Sequence, residues 1–152
     1  MDHINGFKAA VAACAAALTA LWGWFGWLIV AWGVCMGLDV LTGMAAGARQ
    51  GKWSSSIARE GIWHKAGCIA AAVMAGILDM VVGQILANLP NVTLPFTYTV
   101  FLCPLVVFWY ILTEAGSIVE NVGAMGAPVP EWLKKAIAAL KDKVDESAGK
   151  EE

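Results

Sequence analysis

Apolar residues run along this chain in long stretches, and charged residues mark where the stretches end. No charge stands between Ala9 and Leu38, and Asp79 is the one charge between Ala66 and Thr113. Asp39, Arg49, Lys52, Arg59, Glu60 and Lys65 crowd the interval between these two runs, and charge returns from Glu114 onward. A helix needs about 20 apolar residues to cross a hydrocarbon layer about 30 Å thick, at about 1.5 Å rise per residue. The pattern therefore predicts transmembrane helices over 24–46, 64–86 and 96–118. A basic loop at 47–63 joins the first two, and a loop at 87–95, whose Leu89–Pro95 stretch has two prolines and an Asn, joins the last two.

Both ends of the chain differ from these spans. Over residues 1–23, bulky side chains at Ile4, Phe7, Val11, Leu18 and Leu21, with Cys14, follow a 3-4-3-4-3 spacing among alanines. That is a hydrophobic helical segment with one thick and one thin face. It runs into the Trp22–Trp27 cluster, whose indoles favour a membrane–water interface. Its number of crossings, and so the side of the N-terminus, stays open. Residues 119–152 form a tail. Pro128 and Pro130 stop the preceding helix, and Trp132, Leu133, Ile137, Leu140 and Val144 then mark the apolar face of an amphipathic helix. The fold class is an all-α membrane protein with three firm transmembrane helices, an N-terminal hydrophobic helical segment and a C-terminal amphipathic helix.

Composition agrees with the membrane reading. Of 152 residues, 59% are hydrophobic and 14% charged, and the mean hydropathy is +0.67. A soluble domain of this size could not bury that much apolar surface. Ten Lys and Arg against twelve Asp and Glu, with no basic run, exclude a nucleic-acid partner. Cys14, Cys35, Cys68 and Cys103 lie in apolar stretches without metal-ligand spacing and read as small buried hydrophobes. Lys and Arg gather in the 47–63 loop and in the tail, while the 87–95 loop has no charge. This asymmetry places the basic loop and the C-terminus in the cytoplasm, because basic residues stay on that side.

Three sets of residues stand out inside or beside the spans. Gly33 and Gly37 on the first, and Ala72, Gly76 and Gly83 on the second, make thin faces where backbones can approach. They are expected to serve helix packing and self-association. Asp39, Lys65 and Glu114 sit near the cytoplasmic border, where ion pairs would tie the three spans together. Asp79 lies about 21 Å beyond Lys65 along a helix, a depth at which a carboxylate must be paired, hydrated or protonated. Either it bonds a neighbouring helix, or it faces water with a polar stripe of Thr99, Tyr110, Thr113, Ser117 and Glu120 on the third span. No nucleophile–base pair, metal cluster or phosphate loop is present in the sequence, so no enzymatic activity, cofactor or metal is expected.

An ordered set of short motifs resembles a known family. Asp39-Val40-Leu41-Thr42-Gly43 is followed by Lys52-Trp53-Ser54-Ser55-Ser56 and by Glu60-Gly61-Ile62-Trp63-His64-Lys65. Then come Asp79, Glu114 with Ser117, Ile118, Glu120 and Asn121, and Pro128-Val129-Pro130 before a Lys-rich helix. From about Leu38 to Leu140 this order is similar to the phage-lysis and toxin-secretion holins, among them the holin that exports large clostridial toxins. The resemblance implies a protein of the bacterial cytoplasmic membrane that forms a large homo-oligomer and opens a lesion, with endolysin or a toxin as passenger. Its partners would be other copies of itself, membrane lipids and, in some systems, an antiholin. Two other readings stay open on the residues: a small proton-coupled transporter using Asp79, and an antiholin regulator.

Overall fold

The computed structural model describes residues 25–52, 54–89 and 100–147, together with Gly6, Lys8, Ala9, Ala12, Ala13 and Ala16, which are helical. The remainder of the expected 1–23 segment, most of the 87–95 loop, and Thr99 lie outside the described residues. Among the described residues from Phe25 onward, four helices follow one another: α1 (Phe25–Arg49), α2 (Ser55–Asn88), α3 (Leu102–Ala124) and α4 (Glu131–Ser147). Among the described residues there is no strand. The expected all-α class holds, and three of the helices are long and apolar enough to cross a membrane.

Helix limits differ from the expected spans in two places. Most of the 47–63 loop is helical, because α1 continues to Arg49 and α2 begins at Ser55. Charged side chains end a hydrophobic run without ending a helix; backbone chemistry ends it. At the end of α1, Gly51 takes φ 65°, and the Gly51 and Lys52 N–H groups donate to the Ala48 and Gly47 carbonyls at 3.2 and 3.0 Å. This left-handed glycine cap satisfies two of the carbonyls that a helix end leaves open. The same device ends α3, where Gly126 has φ 86° and the Gly126 and Ala127 N–H groups reach Gly123 and Val122. The third expected span, 96–118, is shifted: Val100 and Phe101 are not helical, and α3 starts at Leu102. Pro104 accounts for the shift, since proline suits a helix's first turn, where no intrahelical N–H bond is needed.

α3 is the hub of the molecule. It packs along α1, more narrowly against α2, and on its far half against α4, while α1 and α2 scarcely touch each other. Trp32 lies beside Tyr110, Thr42 beside Asn121, and Arg49 beside Gly126, so α1 and α3 run parallel. Gly76 meets Cys103 and Lys65 meets Glu114, so α2 runs antiparallel to both. The core is a thin seam of Phe25, Trp32, Cys68, Ala72, Ala75, Cys103 and Val107. Lipid tails solvate apolar side chains as well as a protein interior does, so a wide core is not needed here. The outer faces accordingly leave Trp27, Val34, Leu41, Ile69, Val73 and Met80 exposed.

Candidate functional site

The polar residues of the spans collect in two places on α3, one at its N-terminus and one near its middle. At the N-terminus, the Asp79 carboxylate of α2 accepts three backbone bonds. The Phe101 and Leu102 N–H groups donate to Oδ1 at 3.1 and 2.9 Å, and the Cys103 N–H donates to Oδ2 at 2.7 Å. Pro104 has no N–H, and Leu105 N–H makes the first intrahelical bond, to the Phe101 carbonyl. Every donor at the start of α3 is thereby accounted for, although the Phe101 side chain provides no cap. An N-terminus in lipid has no water to serve these groups, and a helix N-terminus favours negative charge. Asp79 meets both requirements from a different helix, and it is 0% exposed. Asp79 thus bonds the start of a neighbouring helix.

The second cluster joins all three long helices. Lys65 Nζ of α2 donates to Asp39 Oδ2 of α1 at 2.9 Å and to Glu114 Oε2 of α3. Glu114 is buried. Asn121 Nδ2, two helical turns beyond Glu114 on α3, donates to Asp39 Oδ1 at 3.0 Å and to Thr42 Oγ1 at 3.3 Å. Sequence reading placed Asn121 in a motif without giving it a role. Its signal was the i+7 spacing from Glu114, which sets both on one face of α3.

Between the two clusters the α2–α3 seam is made of small groups. Cys103 Sγ lies 3.4 Å from the Ala72 carbonyl, and a Cβ built on Gly76 would stand 3.6 Å from that sulfur. Ala72 and Gly76 are thus occupied within the chain, and Gly83 is half-buried. Gly33 and Gly37 are exposed, with open space where a side chain would be. The expected polar stripe of α3 is divided among several neighbours. Tyr110 stacks on Trp32 at 5.5 Å between ring centroids, at 11°. Thr113, Ser117 and Glu120 line a groove shared with Lys134, Ile137 and Lys141 of α4. In this arrangement Asp79 is buried, away from the groove that Thr113, Ser117 and Glu120 line.

α4 folds back along α3 because only the short segment 125–130 separates them. Trp109 anchors it: Nε1 donates to Asp145 Oδ1 at 2.9 Å, and Lys141 Nζ sits 4.3 Å from the ring centroid. Neither contact was foreseen from the sequence, since 36 positions separate Trp109 from Asp145. Among the described residues no group of His, Cys, Asp or Glu is arranged to hold a metal ion.

The model of the bacteriophage holin family matches residues 16–142 of this sequence. The chain belongs to that family. The match takes in both polar clusters and α4 as far as residue 142 of this holin-family protein. Two curated relatives are similar over most of their length. An uncharacterised protein of Clostridium perfringens is 32% identical over 126 residues, covering 78% of this chain and 86% of its own. An uncharacterised protein of Halalkalibacterium halodurans is 33% identical over 141 residues, covering 93% of this chain and 96% of its own. No solved structure matches the chain. Family and helices together make it a holin-like, membrane-embedded protein.

Proposed function

We propose that the protein is a holin in action as well as in family: it assembles with itself in the bacterial cytoplasmic membrane and opens a lesion through which endolysin, or a toxin, leaves the cell. The observation that carries this reading is how the chain uses its polar residues. The charged side chains Lys65, Asp79 and Glu114, set within the spans, hold helix to helix. What remains on α1 and α2 is broad apolar surface, with Gly33 and Gly37 open on α1. Thin faces of that kind let helices of neighbouring copies approach. The Lys and Arg asymmetry supports a cytoplasmic position for the link between α1 and α2 and for α4.

Size constrains the assembly. A 200-residue passenger has a diameter of roughly 40 Å. A ring of that width, with helices about 9 Å apart, takes on the order of 14 lining helices. The three backbone donors on Asp79 count against the transporter reading, in which that carboxylate would exchange protons with solvent. The test is inducible expression in a bacterium carrying a cytoplasmic reporter enzyme. A holin gives abrupt reporter release after a lag. Retained reporter with proton-coupled solute uptake would mean a transporter. No release alone, with delayed release when a known holin is co-expressed, would mean an antiholin.

A further inference from the structure

α2 is attached to the rest of the molecule in an unusual way. It scarcely touches α1, and its seam with α3 consists of Cys68, Ala72, Ala75 and Gly76 against a narrow strip that includes Cys103 and Val107. Two polar clasps bracket that seam, about 21 Å apart along α2. The inner clasp is Lys65 on Asp39 and Glu114; the outer clasp is Asp79 on the Phe101, Leu102 and Cys103 N–H groups. Burying apolar surface between helices brings no hydrophobic gain in lipid, so close packing and polar contacts decide whether α2 stays docked. Both clasps contain carboxylates removed from solvent, Asp79 at 0% and Glu114 at 5% exposure.

Such contacts hold in a dry setting and weaken in a wet one. Coulomb attraction falls about fourfold between a partly buried site and bulk water. In lipid the α3 N-terminal donors depend on Asp79, whereas in water the solvent serves them equally well. We propose that α2 is a detachable helix, held on the α1–α3 pair by two water-labile clasps, and that hydration of the clasps converts the compact chain into a wall subunit of the lesion. The proposal rests on the holin reading. Water that loosens one clasp opens a path to the other, which makes the transition abrupt. The face uncovered carries Asp79, Lys65 and Glu114, ready-made groups for a water-filled lumen.

The seam contains its own lock. A Cβ on Gly76 would lie 4.0 Å from Cys103 Cβ with no clash, inside the roughly 3.5–4.5 Å range of disulfides. Gly76→Cys, in a chain carrying Cys14→Ala, Cys35→Ala and Cys68→Ala but keeping Cys103, can therefore be cross-linked by diamide and released by dithiothreitol. Cells with a cytoplasmic reporter are oxidised just before the expected onset, and the cross-link is verified by mass spectrometry. Reporter release should fall at least tenfold and return on reduction, while the same chain retaining Gly76 releases under both conditions. Equal release from the cross-linked and reduced forms overturns the detachable helix and leaves the holin reading standing. If the Gly76 chain and the unaltered protein both release nothing, the holin reading fails and this proposal with it. Asp79→Asn removes the charge from the outer clasp at nearly constant shape, and release should begin at least twofold earlier at equal membrane accumulation. An unchanged or later onset would remove Asp79 from the device.

Discussion

Lys65 shows how much one side chain decides in this protein. Its ammonium stands between two carboxylates from two other helices, with side-chain exposures of 14% for Lys65 and 7% for Glu114. Removing one partner of a buried ion pair costs about 3–5 kcal/mol, because the remaining charge stays buried without compensation. Here two like charges would be left near each other. Lys65→Met should therefore lower the stability of the detergent-solubilised protein by at least about 3 kcal/mol on that scale. Glu114→Gln added to it should recover part of the loss. A thermal unfolding series of the two variants in one detergent checks both statements, and equal midpoints for unaltered and Lys65→Met protein would show that the trio carries no load. The clustering of Asp39, Lys65 and Glu114 at the ends of apolar runs is readable from sequence. The inclusion of Asn121 is not, because it depends on α1 and α3 running parallel in one register.

Among the helices, α4 is the most conditional. It is short and charged, and its attachment rests on Leu133, Ile137 and Val144 against α3 and on the two contacts of Trp109. Trp132 remains 70% exposed on its outer side. Trp109→Phe keeps an aromatic ring and deletes the N–H that Asp145 accepts. The loss of one hydrogen bond to a charged group is worth about 1.5–3 kcal/mol, so α4 should undock more often. Limited proteolysis in membranes should then cut within 131–147 several times faster, with α1–α3 left intact. An unchanged cleavage rate would mean that the apolar face alone holds α4. The existence of α4 was legible, since apolar residues recur at helical spacing after Pro130. Its antiparallel course over α3 follows from loop length and from a Trp109 partner 36 positions away.

For the molecule as a whole, the charge pattern predicts a direction in the membrane. Lys and Arg flank the joined ends of α1 and α2 and run through α4, while the link between α2 and α3 carries no charge. A thiol reagent that does not cross membranes should label an Asn91→Cys variant in intact cells and miss Gln50→Cys, in a chain free of other cysteines. The reverse pattern would turn the protein over. This expectation needs no tertiary contact, because orientation is a property of charges near span ends.

The same holds for the medium, the three long helices among the described residues and the family. Apolar runs longer than a bilayer is thick require helices whatever they pack against, since each backbone group in lipid needs a partner within the protein. The start of α3, the ligands of Asp79 and the use of Ala72 and Gly76 are of another kind. Asp79 meets its donors 22 to 24 positions away. Pro104 was a local sign that α3 begins late, but no local sign names the acceptor. Periodicity shows which residues share a helix face. Which face meets which neighbour depends on all the helices packing together, and in a seam this narrow a few small side chains and two buried carboxylates settle it.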